Sequence, residues 1–406
     1  MQLDKVIELM LKLRNGGDRE TARRLLFLLR GIKEVTPQTL EAQALAASIL
    51  GDKEEMDSVE ASLNRICEKR DPACHLARAL VERLIAEANI NQAELALNHV
   101  EEGLRSVRRL LRSSDAPHDY LEATRESLGS LMNRLRIEEA RLLLLRSMLL
   151  PEIGFDKVLD ADADAQAAAE AFRALGLTED AVRSELWRFR LGAVRGALSY
   201  ESVEALLKEA RGTGTYRLVA ANYLAARAVG GMDADPGLVM EVRMEPKLSA
   251  PTLGLMAIFD AINEEEFKKE LARYREEFMP RFVSPAINLL RGKLSAAEAM
   301  EQCSEASPDE ETCREYVKQA EEGIIGEEQL LYVAFMQDPI GSLGFIMSEC
   351  LGGELDMGRE YILYWASPNT NSAIKWRLYS DLLEKAENGC SLDAKKAISK
   401  IFFYLI

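Results

Sequence analysis

Four arginines, Arg105, Arg108, Arg109 and Arg112, recur at i, i+3, i+4 and i+7. On a helix this spacing sets four guanidinium groups along one strip. Such a strip can fork onto carboxylates of an acidic peptide or onto phosphates of RNA or DNA. Glu101 and Glu102 stand one turn before it, so the same strip can equally be a solvated face held by intrahelical pairs. It could also dock an acidic part of the chain itself. Arg134, Arg136, Arg141 and Arg146 follow in the next stretch. Few aromatics accompany the arginines, which argues against a surface that stacks bases.

The cysteines are the second constellation. Cys67 with Cys74 and Cys303 with Cys313 each bracket a turn between helices, with a proline (Pro72, Pro308) five residues after the first cysteine. A disulfide in either place would staple neighbouring helices and add roughly 2–3 kcal/mol for so short a loop. The plainer alternative is free thiols in turns and cores. Cys350 and Cys390 show no partner by spacing. Cytosolic disulfides are rare outside hyperthermophiles. The 34 Arg against 17 Lys, with 9 Gln and 3 His, are compatible with a thermophile.

Other chemistry finds no footing. His75, His99 and His118 fit no metal spacing, and Cys67, Cys74 and His75 fall short of the four ligands of a structural zinc. Gly292-Lys293-Leu294-Ser295 lacks the earlier glycine and the hydroxyl residue directly after lysine that a phosphate loop needs. Asp160, Asp162 and Asp164 open like a calcium loop, but Ala165 and Ala171 replace its glycine and closing glutamate. They read better as negative charge at a helix N-terminus. No metal, cofactor or catalytic residue is expected, and an enzyme is retained only as a third alternative.

The elements that must position these residues are helical. Residues 17–32 (GDRETARRLLFLLRGI) and 51–66 (GDKEEMDSVEASLNRI) echo one another at an offset of 34: Gly17 answers Gly51, Asp18 answers Asp52, Leu29 answers Leu63 and Ile32 answers Ile66. Asp18 suits an N-cap, and Pro37, Pro72, Pro117 and Pro151 suit first helical turns. Broad apolar faces follow, including Leu76, Leu80, Leu84 and Val100, Leu104, Val107, Leu111. In period and helix pairing, residues 3–150 resemble the tetratricopeptide-like superfamily. With Pro37 at the repeat's usual proline, Ala47 falls at a small-residue site, and Leu63 and Ile66 at later core sites. Gln43, Ala47 and Leu50 stand where the family's Trp, Gly and Tyr would be. The resemblance therefore implies an architecture and partner binding, without transferring any binding residue.

Beyond Pro151 the texture becomes acidic. Residues 1–150 hold 23 Lys+Arg against 24 Asp+Glu, and the remainder 28 against 43, which accounts for the net charge of −16. A whole-molecule attraction to nucleic acid is disfavoured, leaving a local basic patch as the one route to it. Pro251, Pro280, Pro308, Pro339 and Pro368 are spaced by 29, 28, 31 and 29 residues, with pairs such as 308–322 with 326–337 and 339–350 with 355–366 between them. That rhythm is either a second, shorter repeat or a coincidence of loop spacing. The C-terminal Leu392, Ile398, Ile401, Phe402 and Leu405 share one face, which suits a capping helix or, if exposed, a dimer contact.

The expectation is an all-α chain, an α-solenoid of antiparallel helix pairs with repeats at 1–150, a helical middle at 151–235 and a short helix-pair array at 236–406. No apolar run is long enough to span a membrane, and the charged start MQLDKVIELMLK is no signal peptide, so a cytoplasmic setting is expected. The function expected of it is a non-enzymatic scaffold or adaptor that binds a protein partner on a concave surface. An RNA- or ribonucleoprotein-associated factor using the arginine strip is the competing reading.

Overall fold

The computed structural model describes residues 6–7, 9–10, 18–67, 72–112, 128–306, 309–367 and 371–406, and all regular structure among them is helical. The 34-residue echo resolves into two capped helix starts. The Asp18 side chain accepts the Thr21 N–H at 3.0 Å and opens α1 (Arg19–Arg30). Asp52 accepts the Glu55 N–H at 3.0 Å and opens α3 (Lys53–Ile66). Between them, α2 (Pro37–Leu50) starts with Pro37 in its first turn and Thr36 and Thr39 exchanging hydrogen bonds. It ends on Gly51 at φ 72°, a left-handed cap in which a Cβ would be strained.

The helices α4 (Pro72–Ala88), α5 (Ala93–Arg112), α6 (Leu128–Ile153), α7 (Val158–Ala174) and α8 (Thr178–Val194) continue the run. From α1 to α7 each helix packs on the one before it, and α4 also contacts α2 and α6. Leu29, Leu45, Leu63 and Leu84 fill one core, and Leu104, Leu135, Leu142, Leu149 and Phe172 a second. Each fully buried leucine contributes about 1.5–3 kcal/mol. Close approach has a residue requirement at Gly103 on α5. A Cβ there would meet Leu142 Cδ1 at 3.1 Å and the Ala79 carbonyl at 3.4 Å.

Pro151 departs from expectation: it lies in the last turn of α6 instead of opening a helix. It therefore cannot donate to the Ser147 carbonyl four residues earlier. The Trp187 indole N–H from α8 donates to that carbonyl at 3.2 Å, so a buried acceptor is not left unpaired. The proline is tolerated because another helix supplies its missing donor.

The chain divides into two compact units, residues 1–188 with 371–374 and residues 189–370 with 375–406. The break falls inside α8, because Phe172, Ala168 and Ala181 belong to the core built by α5 and α6. The second unit comprises α9 (Tyr200–Glu209), α10 (Tyr216–Val229), α11 (Pro236–Arg243), α12 (Pro246–Ile258), α13 (Glu264–Phe278), α14 (Ser284–Leu290) and α15 (Ala296–Gln302). It continues with α16 (Glu310–Glu321), α17 (Glu327–Met336), α18 (Pro339–Leu351), α19 (Asp356–Trp365), α20 (Ala373–Lys385, from Lys375 onward) and α21 (Leu392–Leu405). Its organiser is α12, buried at every position from Leu248 to Ile258 and packed against α10, α11, α13, α18 and α21. Pro251 is inside this helix, so it does not mark the start of a helix pair. The expected pair 339–350 with 355–366 packs as α18 on α19, whereas α16 packs on α14 and α15.

The C-terminal α21 has Ile398, Ile401, Phe402 and Phe403 buried against α10, α12 and α18, with the Phe189 ring edge-on to Phe403 at 5.5 Å. Leu392 alone of its expected apolar face is strongly exposed, at 60%. The face invoked for a dimer contact is thus occupied within the unit. Among the described residues no helix is long and apolar enough to cross a membrane.

Candidate binding groove

The arginine strip folds as the spacing requires, on α5, but two of its four charges, Arg105 and Arg108, are committed inside the chain. Arg105 pairs with Glu102 on its own helix, and Arg108 Nε donates to Glu139 Oε1 of α6 at 2.9 Å. Arg109 is exposed with no partner among the described residues, and the Arg112 side chain lies outside them. Of the following arginines, Arg134 and Arg146 clamp helix to helix, Arg141 pairs within α6, and Arg136 is exposed. Arg134 reaches the buried Glu41 of α2 at 2.6 Å, and Arg146 binds both Asp164 oxygens at 2.6 Å and Glu101 at 2.8 Å. Asp162 accepts from Arg188 at 3.2 Å. Asp162 and Asp164 are thus ion-pair partners of arginines on other helices; of the three aspartates, Asp160 occupies the first turn of α7.

At the centre of the network Arg83 and Glu138 are both buried. Arg83 Nε donates to Glu138 Oε2 at 2.8 Å and Nη1 to Glu87 at 2.7 Å, while Arg141 donates to Glu138 Oε1 at 2.9 Å. Burial alone would push the Glu138 carboxyl up; the charges and hydrogen bonds of Arg83 and Arg141 overcome this and hold it down at about 2. A cavity of about 690 Å³ beside the network is lined by Arg83, Arg141 and Arg183 and by Glu87, Glu179 and Asp180. Its three cations face three carboxylates, and each guanidinium is already hydrogen-bonded to a carboxylate (Arg83 to Glu87, Arg183 to Glu179, Arg141 to Glu138 behind the wall), so it has no excess charge with which to select an anion.

The cysteines lie in bonded pairs. Cys67, the C-cap of α3, joins Cys74 in the first turn of α4, and Cys303 joins Cys313 on α16, with Cα–Cα distances of 5.4 and 5.5 Å. Cys350 at the end of α18 joins Cys390, just before α21, with 5.0 Å between Cα atoms. No local spacing announces this last pair, because forty residues separate its members. No group of residues that could hold a metal ion occurs among the described residues. His75 is buried and shares a hydrogen bond with Ser106 at 3.0 Å; His118 lies outside the described residues.

What the residue patterns did not single out is a groove of about 590 Å³ where α2, α3, α4 and α5 meet. Its floor is the edge of the first core, at Met56, Leu84 and Ile85, and Leu95 stands beside it 41% exposed. Leu95 and His99 project from α5 one turn apart. His99 Nδ1–H donates to Glu82 at 2.7 Å. Burial raises the Glu82 carboxyl above its ordinary range, the His99 bond opposes that, and the nearby charges of Glu60 and Glu102 add to it. Four further carboxylates line the groove, Asp52, Asp57, Glu60 and Glu87, against one ammonium, Lys53. A helical hydropathy pattern can locate the buried faces of α3, α4 and α5. It cannot show that they stop short of one another and leave Leu95 uncovered.

No protein-family model matches the chain, and neither curated proteins nor solved structures give a match to it.

Proposed function

We propose that the chain is a non-catalytic helical scaffold or adaptor whose first unit binds a segment of a protein partner in the groove formed by α2, α3, α4 and α5. The observation carrying this reading is the groove itself: an apolar floor of Met56, Leu84 and Ile85, left open and rimmed by polar groups. An apolar depression between helices suits the apolar face of an incoming amphipathic helix, read at i, i+3, i+4 and i+7. The intramolecular pairing of Arg105, Arg108, Arg134, Arg141 and Arg146 supports a protein partner over RNA, since these groups would have to leave carboxylates to meet phosphates.

Selection from a displayed library of helix-forming peptides with randomised surface positions tests the reading. Peptides with apolar residues at helical spacing are expected to be enriched by the full chain. Ala88→Trp sets an indole into the groove from the exposed end of α4 and should weaken the selected peptides at least about tenfold, or 1.4 kcal/mol. Absence of enrichment, or enrichment indifferent to that substitution, would refute the groove.

A further inference from the structure

We infer that the groove is built for a cationic amphipathic helix, one that sets an apolar stripe on Met56, Leu84, Ile85 and Leu95 and flanks it with lysine or arginine. This rests on the groove reading above and adds the chemistry of the occupant.

The argument is one of uncompensated charge. Of the groove carboxylates, Glu87 is paired with Arg83 at 2.7 Å, and Asp52 caps α3 and lies 3.6 Å from Arg30. Asp57 and Glu60 have no cationic partner among the described residues. They stand three residues apart on α3 and so project from one side of that helix, over the apolar floor. Behind them the buried Glu82 is engaged by His99 and disfavoured as an anion by burial and by Glu60. Elsewhere in this unit Glu41, Glu138, Glu139 and Asp164 are each bound by an arginine, whereas Asp57 and Glu60 stand unpaired among the described residues, beside the exposed Leu95.

Two helix ends reinforce the sign. The C-termini of α2, where Arg19 already donates to the Leu50 carbonyl at 2.6 Å, and of α4, at Ala88, both border the groove, and helix carbonyl ends favour positive charge. Of the two N-termini present, that of α3 is already capped by Asp52, and that of α5, whose first turn holds Leu95, carries Glu94. A neutral segment could fill the floor, but only a cationic one relieves the repulsion around Asp57, Glu60 and Glu82. Exposed pairs are individually weak and act mainly on partner choice, so the expected signature is a preference of charge on top of a common apolar affinity.

The experiment uses the full chain and a displayed library in which Leu is fixed at i, i+4 and i+7 and the flanking positions are randomised. Lys and Arg should be enriched over Asp and Glu at the flanks by about tenfold. In Asp57→Lys/Glu60→Lys, two surface changes that leave the core untouched, the preference should fall to parity or invert. Charge-indifferent or acidic enrichment that is still lost in Ala88→Trp would overturn the inference and leave the groove reading standing. Enrichment that survives Ala88→Trp, or no enrichment at all, would overturn both. Concentration-dependent self-association in sedimentation velocity, abolished by Ala88→Trp, would put a second copy of the chain in the groove and likewise overturn the cationic partner.

Discussion

Replacing Arg83 with methionine is expected to destabilise the first unit by about 3 kcal/mol or more, among the largest effects of any single substitution in the chain. Arg83 and Glu138 are 3% and 4% exposed, and the guanidinium satisfies Glu138 and Glu87 together. Removing it leaves a buried carboxylate with Arg141 as its only remaining cation among the described residues. The cost is that of an anion stranded out of water, so it should vanish when the anion goes too. Arg83→Met combined with Glu138→Leu should recover most of the loss, because Arg141 and Glu87 are partly exposed and can turn to solvent. Urea unfolding of the two single variants and the double variant measures this as a thermodynamic cycle. Equal losses in the Arg83 variant and the double variant would contradict the ion-pair account.

The same pair fixes a pH dependence. Glu138 is held at about 2 in the folded chain, against 4.5 as the ordinary value. A group whose folded pKa is lowered contributes stability in full above its unfolded pKa and loses it as pH falls through the folded one. The contribution of Glu138, on the order of 3 kcal/mol, is therefore complete above about pH 5 and lost between there and about pH 2. Glu138→Gln should flatten the acid limb of the stability curve in that window.

Opening the disulfides is the second large effect. Loop-closure entropy scales with the separation bridged, here 7, 10 and 40 residues. The two short bridges should contribute about 2–3 kcal/mol each, and the Cys350–Cys390 bridge about 4 kcal/mol. Cys350→Ser/Cys390→Ser should therefore lower the midpoint of thermal unfolding more than either of the other paired substitutions. The fully reduced wild type should lie below all three. A reducing cytosol would hold such bridges open in a mesophile, so their persistence bears on the setting in which the chain works. Six titratable thiols in the native, non-reduced protein would contradict the pairing.

Local features were legible in the amino-acid order, and long-range ones were not. The echo of Asp18 and Asp52, the start of α2 at Pro37 and the bounds of α18 and α19 follow from caps, prolines and periodicity, which act within a turn or two. Pro151 misleads because its compensation comes from Trp187, 40 residues away in hydrogen-bond partnership with Ser147. The arginine strip was visible, but its engagement was not. Arg134 finds Glu41 across 93 residues and Arg83 finds Glu138 across 55, in a chain with 67 acidic residues to choose among. Nothing in local spacing selects those partners. The groove was hidden for a related reason: it is a gap among four helices, and each helix taken alone shows only an ordinary amphipathic face.

The most direct test of the central claim is amide hydrogen exchange of the full chain with and without a peptide selected for binding. The account predicts added protection concentrated in residues 47–60 and 84–99, the segments that line the groove, and its loss in Ala88→Trp. Protection centred on the arginine-bearing stretch 105–112 or on the second unit, with 47–60 and 84–99 unchanged, would contradict it.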